Sequence, residues 1–300
     1  MKANIMKVRG KGIHVETYGS NLHPALLYLH GGPGESCYDF TFHQRERLAD
    51  SLFLVAIDQR GVCRSEAIME GEAFGFDDLI EDCEALKEEL GIEKWSVLGH
   101  SFGGFLALAY VQKYPESIQK VIFECPTFDF ALTSKGLLKK TADLFGKYDM
   151  PKLKEEALRL VEKEMSPREF TETYMKLSDE LGENRMEIYT HCFDNPTDYH
   201  LMYTDEEWDR YYDRSDHHYV LLREEGFIFN SLLDSLKHIE NPMLLLTGEY
   251  DPVTCAEHIS CFKRDARNGE VIHFRHSGHT PHYEEADRFR DVVKDYVMER

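Results

Sequence analysis

No run in the sequence approaches the roughly 20 consecutive apolar residues of a membrane span. The opening stretch, MKANIMKVRGKGIHVETYG, also lacks the continuous apolar segment of a secretory signal. Basic side chains are in deficit, 35 against 55 acidic ones, for a formal net charge of −20 over 300 residues. That surface repels phosphate backbones and anionic lipid, so neither a nucleic-acid partner nor a membrane partner is expected. Its plain consequence is solubility, and its further one is a field favouring cationic or amine-bearing substrates. Paired cysteine spacing is missing: Cys37, Cys63, Cys83, Cys125 and Cys192 stand singly, Cys255 and Cys261 are six apart, and no CxxC occurs. An odd set of seven without paired spacing excludes a disulfide framework and points to a reduced, cytoplasmic chain whose thiols pack as small apolar groups. Internal repeats and low-complexity segments are absent as well.

What is present is enough apolar material, 42% of residues, for one large domain or a core with an inserted subdomain. IMKVRG and GIHVETYG alternate around Lys11-Gly12 as a hairpin or a pair of edge strands. Six short strands follow: ALLYLH (25–30), LFLVAID (52–58), WSVLGH (95–100), KVIFEC (120–125), PMLLLTG (242–248) and EVIHFRHSG (270–278). Several are apolar on both faces, as in a sheet covered by helices on each side. Helical patterns lie between them, over 76–91 stopping at Gly91, over 102–115 stopping at Pro115, and from His282 to the end. The alternation predicts an α/β chain with a mostly parallel sheet. Residues 129–238 break the rhythm with charged helical stretches and then an aromatic-rich section. The expected organisation is a core of 1–128 and 239–300 with a helical cap inserted at 129–238, after the sixth strand.

Chemistry enters at Gly99-His-Ser-Phe-Gly103, a G-x-S-x-G stretch between the strand WSVLGH and the helix FLALAYVQKY. A serine on so sharp a turn, with only small neighbours beside the crossing arms, is lifted clear of the sheet at a helix N-terminus. Ser101 is therefore the expected nucleophile. It needs a base and an orienting acid, which on this architecture follow in the order acid, then His. Asp251 lies just past the strand LLLTG, and His279 just past the last strand, both at carboxyl ends where ligands bind open α/β sheets. Glu249 competes with Asp251, and His276 and His282 flank His279. His279 is preferred because Gly278 frees its loop, whereas His276 belongs to the strand and His282 to the helix start. His217 and His218 read as surface or capping residues. No two histidines share a helix face with a third ligand at metal spacing, so neither a metal nor a cofactor is expected.

Acyl chemistry at a serine also needs two N–H donors for the oxyanion. Phe102, directly after the nucleophile, supplies one. HGGPGE (30–35) follows an early strand, and Gly32 is assigned the second, with Pro33 stiffening the turn. The same stretch lacks the Lys-Ser/Thr of a phosphate loop and the spacing of a dinucleotide fingerprint. Glu35, its one charged residue, takes no role from the sequence.

These stretches resemble the α/β-hydrolase superfamily and, within it, the prolyl aminopeptidase (proline iminopeptidase) group. HGGPG at 30–34, DQRG at 58–61 running on to Ser65, GHSFGG at 99–104, GEYDPVT and GHTPHYEE carry the likeness, which covers both core segments. It implies an eight-stranded sheet with a helical cap and release of an N-terminal residue, often proline, from short peptides. Esterase, lactonase and carbon–carbon bond hydrolase activities stand as alternatives, and a non-catalytic binding homologue as a remote one. Two positions depart from the pattern. Cys63 replaces a second glycine in DQRGVCRS, and Pro252 stands where relatives can carry a carboxylate that grips the substrate amine. Glu206, Glu207, Glu224 and Glu225 are candidates for that missing group, against the plainer reading of a solvated helix surface.

Overall fold

The computed structural model describes residues 2–299. Eight strands form one sheet: β1 (Lys2–Val8), β2 (Lys11–Tyr18), β3 (Ala25–Leu29), β4 (Phe53–Asp58), β5 (Trp95–His100), β6 (Ile118–Glu124), β7 (Met243–Gly248) and β8 (Gly269–Phe274). Their spatial order is β1-β2-β4-β3-β5-β6-β7-β8, with the β1–β2 and β2–β4 pairings antiparallel and every later pairing parallel. The two-sided apolar runs have a simple cause. In β3, Leu27 and Leu29 join the core on one face while Leu26 and Tyr28 join the core on the other. Val55 and Ile57 against Leu54 and Ala56 do the same in β4.

Helices cover both faces. α1 (Tyr38–Leu48) and α10 (Ala286–Met298) bury Phe40, Leu48, Phe289 and Val293 on one side. α2 (Phe76–Glu89), α3 (Phe102–Lys113) and α8 (Ala256–Asp265) occupy the other. α2 buries Phe76, Leu79, Ile80, Cys83 and Leu86, a helical stripe, and ends where Gly91 turns left-handed at φ 65°. α3 is buried nearly all round, which is why its sequence is almost wholly apolar.

Between β6 and β7 lie α4 (Phe130–Lys147), α5 (Pro151–Val161), α6 (Pro167–Ser178), α7 (Asp205–Glu225) and short 3₁₀ turns. α4 to α6 build their own apolar cluster from Leu138, Phe145, Ala157, Phe170 and Tyr174. From Leu222 onward, with Ile228, Leu232 and Leu236, the segment packs instead into the core beneath the sheet.

Three expectations need correction. The first hairpin turns at Arg9-Gly10, both with positive φ (46° and 82°), and Lys11-Gly12 already belongs to β2. β8 ends at Phe274, so His276 sits on an exposed turn and not in the strand. The terminal helix is broken at Glu285, whose carboxylate accepts from the His276 N–H and the Ser277 hydroxyl, leaving the short α9 (Pro281–Glu284) before α10.

Candidate active site

Ser101 joins β5 to α3 with φ 55° and ψ −119°, a conformation costly for any residue with a Cβ. Its N–H is held by the Glu124 carbonyl oxygen at 3.0 Å. The glycines around it are demanded by close approach. A Cβ on Gly99 would lie 2.1 Å from the Gly103 carbonyl oxygen, and one on Gly103 would lie 2.1 Å from the Leu29 carbonyl oxygen. The pattern G-x-S-x-G thus records two backbones crossing under the serine.

Asp251 and His279 meet from different loops. His279 Nδ1 lies 2.9 Å from Asp251 Oδ1. The carboxylate also accepts the N–H groups of Val253 (2.9 Å, Oδ1) and Thr254 (3.0 Å, Oδ2), which fix its plane. The His279 N–H donates to the Tyr189 carbonyl oxygen at 2.7 Å, and His100 Nε2–H donates to the His279 carbonyl oxygen at 3.0 Å. Burial opposes charge on the His279 ring, but the field and hydrogen bond of Asp251 outweigh it and the ring titrates above its ordinary value. Among the described residues the Ser101 hydroxyl has no hydrogen-bond partner.

The glycine loop stands beside this group. Gly32 has φ 105°, and a Cβ there would lie 2.5 Å from Gly34 N and 2.8 Å from Glu35 N, so only glycine fits. Neither the Gly32 N–H nor the Phe102 N–H is engaged by another described residue. The loop is anchored by the DQRG segment. The Gln59 N–H donates to His30 Nε2 at 2.9 Å, and Arg64 binds Asp58, which in turn takes the Cys37 N–H and the Ser36 hydroxyl. α7 presses on the loop from the other side, with Ser215 against Gly34 and Arg214 donating to the carbonyl oxygens of Cys63 and Ser65.

The rivals are accounted for. Glu249 pairs with His273 on the surface, and His276 is exposed. His282 is buried and cationic, bound by Glu124 and Asp39 at 2.8 Å each; burial works against its charge, yet the two carboxylates lift its pKa to about 10. His218 is fully buried and donates from Nδ1 to the Arg60 carbonyl oxygen at 2.7 Å, so it is no surface residue. Glu207 closes a capping box with Thr204, Glu225 accepts the Phe227 N–H, and Glu206 and Glu224 face solvent. Cys63 adopts φ 41°, with its thiol 3.4 Å from the Ser215 hydroxyl.

Sequence reasoning missed two features. Glu284 clamps the histidine loop to the helical segment: one oxygen accepts the N–H groups of His191 (2.7 Å) and Cys192 (2.8 Å), the other that of Gly278 (2.8 Å). Its place in HTPHYEE is a local signal, but its partners His191 and Cys192 lie some ninety positions away. The second is a pair of ligand-type clusters, His100/Glu124/His282 and Cys125/Asp251/His279, each with donor atoms within 4.8 Å of one another. In each, a histidine and a carboxylate are already hydrogen-bonded to one another. A hollow of about 790 Å³ at the amino ends of β3 and β4, lined by Pro24, Phe53 and Lys94 among others, holds none of the predicted site residues.

A serine elbow, a buried imidazole–carboxylate pair and two unengaged N–H groups at the carboxyl edge of a parallel sheet define a hydrolase-type site. The alpha/beta hydrolase fold family matches residues 24–286, and the chain belongs to it. Proline iminopeptidases are similar over nearly their whole length. That of Thermoplasma volcanium is 26% identical over 97% of this chain and 95% of its own, and that of Saccharolobus solfataricus 23% over 97% and 90%. The crystal structure of proline iminopeptidase from Mycobacterium smegmatis superposes with a TM-score of 0.69 at 17% identity, covering 99% of this chain and 98% of that one. An esterase from Exiguobacterium antarcticum does so with 0.67 at 18%, covering 99% and 100%.

Proposed function

We propose that the protein is a serine hydrolase acting through an acyl-enzyme, and that its reaction is proline iminopeptidase-like release of an N-terminal residue from short peptides. The observation that carries the reading is the His279–Asp251 pair at 2.9 Å beside the strained Ser101 elbow. Ser101 Oγ attacks the carbonyl carbon and its proton passes to His279 Nε2. Asp251 holds the resulting imidazolium through Nδ1. The N–H groups of Gly32 and Phe102 receive the carbonyl oxygen as it gains charge, each donor contributing roughly 10²–10³-fold in turnover. Collapse of the intermediate returns the proton to the leaving amine, and water repeats the cycle on the acyl-enzyme. The scheme uses no cofactor or metal. Residues 129–238 act as a cap over the site, and the seven thiols, none paired in a disulfide among the described residues, fit a cytoplasmic address.

Supporting the peptidase reading over a generic esterase are the full-length iminopeptidase relatives and the HGGPG loop. The test is a turnover panel of Pro-, Ala- and Leu-arylamides, their N-acetyl forms, simple esters and lactones, run beside fluorophosphonate labelling. Wild-type protein is expected to label, Ser101→Ala not to, and the free-amine arylamides to be cleaved. Equal labelling of the two proteins overturns the serine mechanism. Turnover of esters alone, blind to N-acylation, overturns the peptidase assignment.

A further inference from the structure

Glu35 is a carboxylate without a partner. Among the described residues its side chain makes no hydrogen bond and no ion pair, and its only polar contact is its own N–H to the Gly31 carbonyl oxygen at 3.4 Å. It is open to solvent, yet it stands at the nucleophile. A Cβ on Gly31 would lie 2.7 Å from Glu35 Oε2, 3.0 Å from Ser101 Cβ and 3.1 Å from His100 Nδ1, so the carboxylate and the nucleophile crowd one point. Its charge reaches His279, Tyr189, Tyr199 and Cys63, and Tyr199 remains 40% exposed beside it. The cleft therefore has an anionic floor and aromatic walls.

Unpaired and open to solvent, the carboxylate is free to take a partner from the substrate. The two imidazoles nearest in charge are committed, His279 to Asp251 and His282 to Glu124 and Asp39. A bare carboxylate next to an oxyanion site also opposes the negative charge that acyl transfer creates. A cation supplied by the substrate removes that penalty. The position of that cation follows from chemistry: an α-amine is two bonds from the carbonyl carbon that Ser101 attacks. It falls in the short gap between serine and Glu35.

We propose that Glu35 is the specificity-determining residue for a protonated α-amine on the acyl side of the scissile bond. This rests on the serine-hydrolase reading above and names the group that the site selects. Discrimination has two parts, attraction of the ammonium and repulsion of acyl groups that leave the carboxylate unpaired. Partial desolvation by the surrounding cleft raises the Glu35 pKa, opposed by His279 and reinforced by Asp39, so amine binding weakens as the pH falls through that raised value.

Calorimetric titration of prolinamide and N-acetylprolinamide into Ser101→Ala protein tests this without turnover. Prolinamide is expected to bind and N-acetylprolinamide to bind far more weakly. Adding Glu35→Gln should weaken prolinamide about 10- to 100-fold, the size of a charged hydrogen bond, and leave the acetylated ligand unchanged. Glu35→Asp, which keeps the charge at shorter reach, should retain more affinity than Glu35→Gln. Equal binding of prolinamide with and without Glu35→Gln, equal binding of the two ligands, or no prolinamide binding at all overturns the assignment. If binding depends on Glu35 but wild-type protein cleaves no arylamide, the peptidase reading fails and the amine site stands.

Discussion

His282 holds Glu124 twice, its backbone N–H and its ring Nδ1 both lying 2.8 Å from the same carboxylate oxygen. Glu124 is fully buried, so removing the ring leaves a charge in the core with one backbone donor in place of an ion pair. Replacing His282 by Gln should destabilise the fold by about 3–5 kcal/mol. The pH dependence has a definite sign. The ring titrates near 6.5 when unfolded and near 10 when folded, so its contribution is full below pH 6.5 and lost as pH rises to about 10. Thermal melts of wild-type protein should fall across that window, and those of His282→Gln should be flatter there.

Gly32→Ala places a methyl 2.5 Å from Gly34 N. The loop must shift, taking its N–H away from the oxyanion, so kcat should drop roughly 10²–10³-fold. Gly71, also at positive φ (74°) but with open space around it, is the control. Gly71→Ala should lose about 1–3 kcal/mol of stability at most and no catalysis. Parallel melts and kinetics on the two variants check this.

Asp251→Asn removes the charge that outweighs burial at His279. The acidic limb of the kcat/KM profile in wild-type protein should lie above the ordinary imidazole value. In Asp251→Asn it should move down, with kcat reduced on the order of 10⁴-fold. A limb that stays in place would mean that another group sets it.

Glu284→Gln keeps the shape of the clamp but turns an amide NH₂ toward N–H donors. The Gly278 loop that carries His279 and the His191–Cys192 segment should loosen together. The expected result is a fall in kcat of about 10- to 100-fold, from misplaced His279, with a smaller change in KM. Steady-state kinetics with a melting curve separates this from global unfolding.

The continuous apolar runs of β3 and β4 predicted a two-sided sheet, and glycine spacing at 99–103 marked the elbow, because both are local consequences of backbone geometry. The hairpin turn was misplaced by two residues, since Gly10 and Gly12 are equal glycine signals and only the strand pairing puts the turn at Arg9-Gly10. His218 read as a surface residue because its acceptor, the Arg60 carbonyl oxygen, is over 150 positions away. Glu206, Glu207, Glu224 and Glu225 drew attention through their charge alone, and the structure places them in caps or solvent.

By itself the sequence determined the sheet, the order of Ser101, Asp251 and His279, and the glycine loop, all written in short-range patterns. Tertiary structure decided which charges matter. Whether Glu35 stands bare beside the serine, whether His282 is a cation and whether Glu284 joins two segments all depend on groups brought together from distant positions. Electrostatic energy depends on distance and burial, and neither is encoded in any single stretch of chain.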